Sequence, residues 1–167
     1  FDCVIICAAI TNISECEKKP AESEKINVTN TIKLIDNAIA NDSFVVFLSS
    51  NTVFDGTKSF YKHTDKKNPK NQHGKFKNSV EEYIKNNKNV CVIRLTKVIS
   101  KNTPIIKHWE NELSQGMVIR AYTNKFLSPV SIENVADSIQ ILINRKQSGI
   151  FQLGGSDEVS YFKFAQS

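Results

Sequence analysis

The chain has 167 residues, of which 40% are hydrophobic and 23% charged, and its formal net charge is +5. These values are typical of one globular domain that buries its own core. The basic residues are scattered among 17 acidic ones, and the densest basic patch holds no interleaved aromatic residues, so nucleic acid is not an expected partner. No segment has the roughly 18 apolar residues of a membrane helix and no signal-peptide pattern is present, so we expect no membrane partner.

The cysteines bear on metal binding and on compartment. Cys3, Cys7, Cys16 and Cys91 lack the paired C-x-x-C spacing of a zinc site. Two of them lie in an apolar run that is typical of a buried strand. Reduced, buried thiols are consistent with a cytoplasmic protein. The sequence therefore predicts no metal site and a cytoplasmic location.

Strand-like and helix-like patterns alternate along the first half of the chain. CVIICAA, Cys3 to Ala9, is a continuous apolar run, which is typical of a buried parallel strand. Phe44 to Ser49 and Val90 to Leu95 predict two further buried strands, with a helix beginning near His73 between them. The long helix after the first strand has one apolar face, formed by Val28, Ile32, Ile35 and Ile39.

The second half continues this alternation. TPIIKHWENELSQG predicts a helix ended by Gly116, and MVIRAY, residues 117–122, predicts an edge strand. SIENVADSIQILINRK predicts an amphipathic helix with Ser131 as its N-cap, and GIFQLGG predicts a last short strand. Strands alternating with helices indicate βαβ units, so we expect a single α/β domain over residues 1–167 with a mainly parallel sheet.

The stretch NQHGKFK places two chemically useful side chains together. His73 and Lys77 are four residues apart, so on a helix they project side by side. Ligands of parallel α/β sheets bind beyond the carboxyl ends of the strands, where Ser50 follows the second strand. We therefore expect Ser50, His73 and Lys77 to converge in one cleft. The apolar stripe that seats this helix against the sheet is predicted to be Phe76, Val80, Tyr83 and Ile84.

In order, the segments CAAITN, FVVFLSSNTVFDG, PKNQHGKFK, VCVIRLTKVI and SPVSIENVADSI resemble the extended short-chain dehydrogenase/reductase family. The similarity is greatest to the branch of dTDP-4-dehydrorhamnose reductase, which also contains the non-catalytic regulatory subunit of methionine adenosyltransferase. The resemblance implies a Rossmann-like doubly wound parallel sheet with a small C-terminal substrate-side lobe. The family's N-terminal Gly-rich βαβ portion has no match here, so we expect a fragment of a longer protein.

The family reduces or oxidises a sugar carbon against NAD or NADP with a Ser or Thr, a Tyr and a Lys. By position the resemblance gives Ser50 the hydroxyl role and Lys77 the lysine role, and His73 occupies the tyrosine position. The cofactor contacts that it implies are Ala8, Ala9, Asn27, Ser49, Lys77, Leu95 and Thr96. The substrate contacts that it implies are Thr11, Asn51, Thr52 and Lys97.

Two functions stay open. One is NAD(P)-dependent reduction or epimerisation of a nucleotide-activated 4-keto sugar for polysaccharide biosynthesis, and the other is a non-catalytic nucleotide-binding or regulatory partner that keeps the fold. Relatives commonly have Asp and Tyr where this chain has Asn51 and Thr52, so with His73 three departures favour a weakened site. Because Lys77 disfavours a charged neighbour, we expect His73 to be neutral and a poor acid. A homodimer is compatible with the resemblance.

Overall fold

The computed structural model describes residues 1–166, which form an α/β fold. The strands are β1 (Cys3–Ile6), β2 (Phe44–Ser50), β3 (Val90–Leu95), β4 (Lys97–Ile99), β5 (Phe126–Leu127), β6 (Pro129–Ser131), β7 (Gly149–Leu153) and β8 (Val159–Ser160). The helices are α1 (Ile13–Lys18), α2 (Pro20–Glu24), α3 (Thr31–Ala40), α4 (Gln72–Ile84), α5 (Pro104–Ser114), α6 (Ile132–Asn144) and α7 (Tyr161–Ala165). The chain divides into two compact units, and the first comprises Phe1–Leu95 and Ile139–Gln152.

A four-stranded sheet in the order β1-β2-β3-β7 forms the centre of the first unit. Strands β1 and β2 pair in parallel, as do β2 and β3, with Ser50 opposite Leu95 at their carboxyl ends. This confirms the parallel α/β fold and the three adjacent strands expected from the sequence. Strands β2 and β3 are buried as predicted, whereas β1 was wrongly expected to be buried: it lies at the edge of the sheet, and of its four residues only Ile6 is buried, with Ile5 42% exposed. The first strand ends at Ile6 rather than at Ala9, because the backbone turns away towards Asn27, which binds both backbone polar groups of Ile10.

The core of the first unit lies where α3 and α4 pack on the sheet. Ile35 of α3 and Val80 of α4 are completely buried against Val45 and Phe47 of β2. The apolar face predicted for α3 is confirmed, and so are Phe76, Val80 and Ile84 in the stripe of α4. Tyr83 was wrongly assigned to that stripe: its side chain is 57% exposed, and its hydroxyl donates to the Asp36 carboxylate. A tyrosine ring can pack on apolar surface while its hydroxyl reaches a polar partner at the surface. The helical spacing of apolar residues therefore could not predict that Tyr83 is exposed.

The long helix predicted after the first strand contains one irregular turn. Lys25–Asn30 forms a π-helical turn between α2 and α3, and the flanking residues keep right-handed helical backbone angles. Single π-turns within α-helices are frequent at functional sites. Here the wide turn carries the buried Asn27.

The second unit comprises Thr96–Ser138 and the chain from Leu153 onward. Helix α5 ends before Gly116, whose φ of 72° is the left-handed conformation expected after a helix end. The Ser131 hydroxyl accepts a hydrogen bond from the Asn134 N–H, which confirms the predicted N-cap of α6. Strand β4 pairs in parallel with β6, and β5 is antiparallel to β8.

The edge strand predicted for residues 117–122 was wrong. This segment has no strand structure, and Val118 and Tyr122 are exposed. A short apolar segment forms a strand only if at least one of its faces becomes buried, and neither of these side chains is covered.

Candidate active site

The start of α4 is held on three sides. The Asn71 Oδ1 accepts a hydrogen bond of 2.7 Å from the Gly74 N–H, which caps the helix, and the Gln72 N–H donates to the Glu17 Oε1 at 2.7 Å. A Cβ atom on Gly74 would lie only 2.2 Å from the carbonyl oxygen of Thr52. The first turn of α4 is therefore seated directly on the turn that follows β2, and this contact requires glycine.

His73 lies in that first turn and is 7% exposed. Its Nδ1 is 3.3 Å from the Thr52 Oγ1, whereas its Nε2 is buried and has no hydrogen-bond partner among residues 1–166. Burial, and secondly the charge of Lys77, lower the pKa of His73. The imidazole is therefore neutral at pH 7, as expected from the sequence, although burial contributes more than the neighbouring ammonium.

Ser50 is linked to His73 through the side chain of Thr52. The Ser50 Oγ accepts hydrogen bonds from the Thr52 N–H at 3.2 Å and from the Thr52 hydroxyl at 3.0 Å. Its own proton points to the Asn51 Oδ1 at the long distance of 3.5 Å. Thr52, which the resemblance placed among the substrate contacts, thus organises the two residues on either side of it.

Lys77 is buried one turn further along α4. Its Nζ donates a 2.7 Å hydrogen bond to the Leu48 carbonyl and lies 4.7 Å from the centre of the Phe47 ring. Burial lowers the pKa of Lys77 to about 8, while interactions with Cys7 and Glu81 oppose this shift. The lysine therefore lies near the carboxyl ends of β1 and β2 and exchanges its proton more readily than an ordinary lysine does.

A buried ion pair behind the site was not anticipated from the sequence. Glu81 is fully buried and accepts hydrogen bonds from the Arg94 Nη2 at 2.7 Å and from the Ser49 hydroxyl at 2.5 Å. Lys67 Nζ lies 3.2 Å from the same carboxylate. Burial alone would raise the pKa of Glu81, but the bonds from Arg94 and Ser49 hold it below its usual value. The sequence did hold a signal for the burial of Glu81: it follows Lys77 by four residues, which places both side chains on the same face of α4.

The predicted cofactor contacts near β1 and β2 occupy different environments. Ala8 is exposed and Ala9 half-buried in the turn after β1, and this turn is fixed by Asn27, which accepts from the Ile10 N–H at 2.8 Å and donates to its carbonyl at 2.9 Å. The Ser49 hydroxyl is committed to Glu81 inside the core. Of the predicted substrate contacts, Thr11 and Asn51 are exposed. The roles assigned to these residues stay predictions.

Thr96 and Lys97 belong to the second unit. The Thr96 hydroxyl donates to the Ser128 carbonyl at 2.6 Å, and Lys97 opens β4 opposite Pro129 with an exposed side chain. Their cofactor and substrate roles also stay predictions. Within residues 1–166, no cluster of three or more His, Cys, Asp or Glu side chains is arranged to hold a metal ion. None of the helices described here has the length and hydropathy needed to span a membrane.

The first unit is an α/β domain with a parallel sheet, and ligands of such sheets bind beyond the carboxyl ends of the strands. The chain belongs to the RmlD substrate binding domain family, whose model matches residues 1–167. The similarity to dTDP-4-dehydrorhamnose reductases expected from the sequence is thereby confirmed.

Two curated relatives illustrate the range of this similarity. A probable low-salt glycan biosynthesis reductase of Haloferax volcanii is 27% identical over 99% of this chain, which covers 58% of that protein. The methionine adenosyltransferase 2 subunit beta of Bos taurus is 33% identical over 55% of this chain and 28% of its own length. The chain thus spans less than two thirds of the length of either relative.

Solved structures support the same fold. A hypothetical dTDP-4-dehydrorhamnose reductase from Sulfolobus tokodaii matches with a TM-score of 0.89 and 28% identity, over 99% of this chain and 59% of that one. A dTDP-4-dehydrorhamnose reductase from Bacillus anthracis, solved in complex with NADP, matches with a TM-score of 0.94 over 99% of this chain and 60% of its own. The Bacillus anthracis structure is 21% identical to this chain, so the match supports the fold alone.

Proposed function

We propose that this chain is part of an NAD(P)-dependent enzyme that reduces or epimerises a nucleotide-activated 4-keto sugar, with proton transfer weakened at His73. The observation that carries this proposal is Lys77, a buried lysine with a lowered pKa one helical turn after His73 and close to the strand ends. Burying an ammonium group is costly, and residues perturbed in this way are enriched at functional sites. Membership of the RmlD substrate binding domain family supports the choice of a nucleotide sugar.

NADP or NAD is the cofactor that we propose, and the residues present fit its nicotinamide end. The turn after β1 offers the small side chains of Ala8 and Ala9 at the edge of the sheet, and Lys77 is a buried donor that interacts electrostatically with Cys7 of the same turn. When bound, the cofactor supplies or accepts the hydride. Lys77 would hold its ribose, and Asn27 would keep the β1 turn in place. The sequence has no Gly-rich turn of the kind that binds pyrophosphate, so these residues account for the nicotinamide end alone.

Each polar side chain of the site has a separate task in this proposal. Ser50 would hydrogen-bond the sugar oxygen, because its proton is held only by the long contact to Asn51 and can rotate towards a ligand. Reduction of a ketone also consumes a proton at that oxygen, and a general acid accelerates such a step by about 10² to 10⁴-fold. A neutral His73 is a poor source of this proton, so slow turnover is expected.

The second candidate is a binding or regulatory protein that keeps the site without turnover. The specific observation in its favour is the buried, neutral His73 at the position where the family has its tyrosine. The similarity to a methionine adenosyltransferase subunit beta is consistent with this candidate.

Single-turnover kinetics test the proposal. The protein, expressed at its full natural length, is mixed with NADPH and dTDP-4-dehydrorhamnose, and cofactor oxidation is followed by absorbance. We expect slow reduction that Lys77→Ala abolishes, whereas Lys75→Ala, at an exposed position of the same helix, leaves it unchanged. No oxidation by either the wild type or a His73→Tyr variant would favour the binding protein instead.

A further inference from the structure

The hydrogen-bond directions described around Thr52 favour one tautomer of His73. Its hydroxyl has a single proton, which it donates to the Ser50 Oγ at 3.0 Å, while the Ser50 proton is directed at Asn51. The Thr52 oxygen can then only accept from its remaining neighbour, the Nδ1 of His73 at 3.3 Å. A neutral imidazole carries one proton, and this arrangement places it on the Nδ1 of His73.

The other ring nitrogen is left as a bare acceptor. With the proton on Nδ1, the buried Nε2 presents a lone pair, and no described residue donates to it. Lys77 does not satisfy it either: the hydrogen bond described for the lysine Nζ goes to the Leu48 carbonyl. A buried acceptor without a donor is unfavourable, and a ligand that brings a donor relieves this cost.

We infer that Thr52 is a positioning residue that fixes the Nδ1–H tautomer of His73, and that the His73 Nε2 accepts a hydrogen bond from a hydroxyl group of the ligand. The identity of that ligand rests on the proposed function, which makes it a nucleotide sugar. A hydroxyl can donate to Nε2, whereas a keto oxygen would place its own lone pairs against the nitrogen. The site therefore prefers the alcohol form of the sugar over the ketone, the reverse of what a tyrosine donor would favour.

The tautomer can be read without any ligand or activity. Proton–nitrogen correlation NMR of the histidine rings distinguishes a protonated Nδ1 from a protonated Nε2. We expect the Nδ1–H tautomer in the wild type and in Thr52→Ser, which keeps the hydroxyl, and loss of this preference in Thr52→Val. An Nε2–H tautomer in the wild type, or an unchanged pattern in Thr52→Val, would overturn the role of Thr52.

The ligand preference is measured by calorimetry with dTDP-glucose and its 4-deoxy counterpart. A neutral hydrogen bond to Nε2 should make dTDP-glucose bind about two- to tenfold more tightly. This ratio should fall to unity in His73→Phe, which keeps a ring but has no acceptor. Equal binding of both probes to the wild type would overturn the hydroxyl assignment while leaving the proposed function intact. If neither probe binds, the proposed nucleotide-sugar function fails and the hydroxyl assignment fails with it.

Discussion

Thr52 Oγ1 lies 3.3 Å from His73 Nδ1, at the point where the backbone of the turn after β2 meets the first turn of α4. The carbonyl of Thr52 approaches α4 so closely at Gly74 that any side chain there would collide with it. The hydrogen bond from the Gly74 N–H to the Asn71 side chain caps the same first turn of α4. The link between Ser50, Thr52 and His73 therefore depends on a glycine next to the histidine.

Gly74→Ala should destabilise the protein by about 1 to 3 kcal/mol, the usual cost of forcing extra atoms into a packed contact. Within helices alanine is more favourable than glycine by about 1 kcal/mol, so helix propensity alone would make Gly74→Ala stabilising. A lower free energy of unfolding would therefore be attributable to the clash with Thr52. The free energy of unfolding is measured in urea, with Lys75→Ala as the exposed control on the same turn. A Gly74→Ala protein as stable as the wild type would contradict the close contact.

Lys77→Met should stabilise the fold near neutral pH. Burial lowers the pKa of Lys77 from 10.5 to about 8, so the unfolded chain keeps this proton over a pH range in which the folded chain has lost it. The charged lysine therefore opposes folding fully below about pH 8, and the penalty is relieved as the pH rises towards 10.5. We expect Lys77→Met to raise the free energy of unfolding by about 1 to 3 kcal/mol at pH 7.

The pH dependence of that difference is the decisive part of the measurement. Urea unfolding of Lys77→Met and wild type is compared at two pH values, one below 8 and one near 10, so that titrations common to both proteins cancel. The advantage of the variant should shrink at the higher pH. A difference that is constant with pH would contradict the lowered pKa of Lys77.

Removing only one partner of the ion pair between Glu81 and Arg94 should lower the free energy of unfolding more than removing both partners. Arg94→Met leaves the fully buried Glu81 carboxylate with Lys67 as its remaining cationic partner and should cost about 3 to 5 kcal/mol. The double variant Glu81→Leu with Arg94→Met removes both charges and should recover most of this loss. Urea unfolding measures both values, and a double variant no more stable than Arg94→Met would contradict the account.

The two central strands, β2 and β3, were predictable from the sequence because they are continuous apolar runs covered on both faces. Phe44 to Ser49 and Val90 to Leu95 differ from the observed strands by one residue or none. The first strand was extended too far, since Cys7 to Ala9 are apolar in sequence but leave the sheet where Asn27 binds Ile10. A side-chain contact over 17 residues of sequence separation leaves no periodic signal.

The site was predictable only as far as local spacing reaches. The four-residue interval placed His73 beside Lys77, and the strand-end rule placed Ser50 at the same edge of the sheet. The bridging position of Thr52 depends on how the turn after β2 meets α4, which the spacing of residues does not encode. The burial of Glu81 likewise depends on Arg94, a residue of the neighbouring strand.

The proton at His73 is the central element of the proposed function, and the most direct measurement is the single-turnover rate of keto-sugar reduction in three proteins. The protein at its full natural length is compared with His73→Tyr and His73→Ala, using NADPH and dTDP-4-dehydrorhamnose. Because a neutral, buried imidazole supplies a proton poorly, we expect His73→Tyr to raise the rate, by up to about 10² to 10⁴-fold, and His73→Ala to change it little. Wild-type turnover at an ordinary rate of about 1 to 10³ per second, abolished in His73→Ala, would contradict this account and make His73 a working acid.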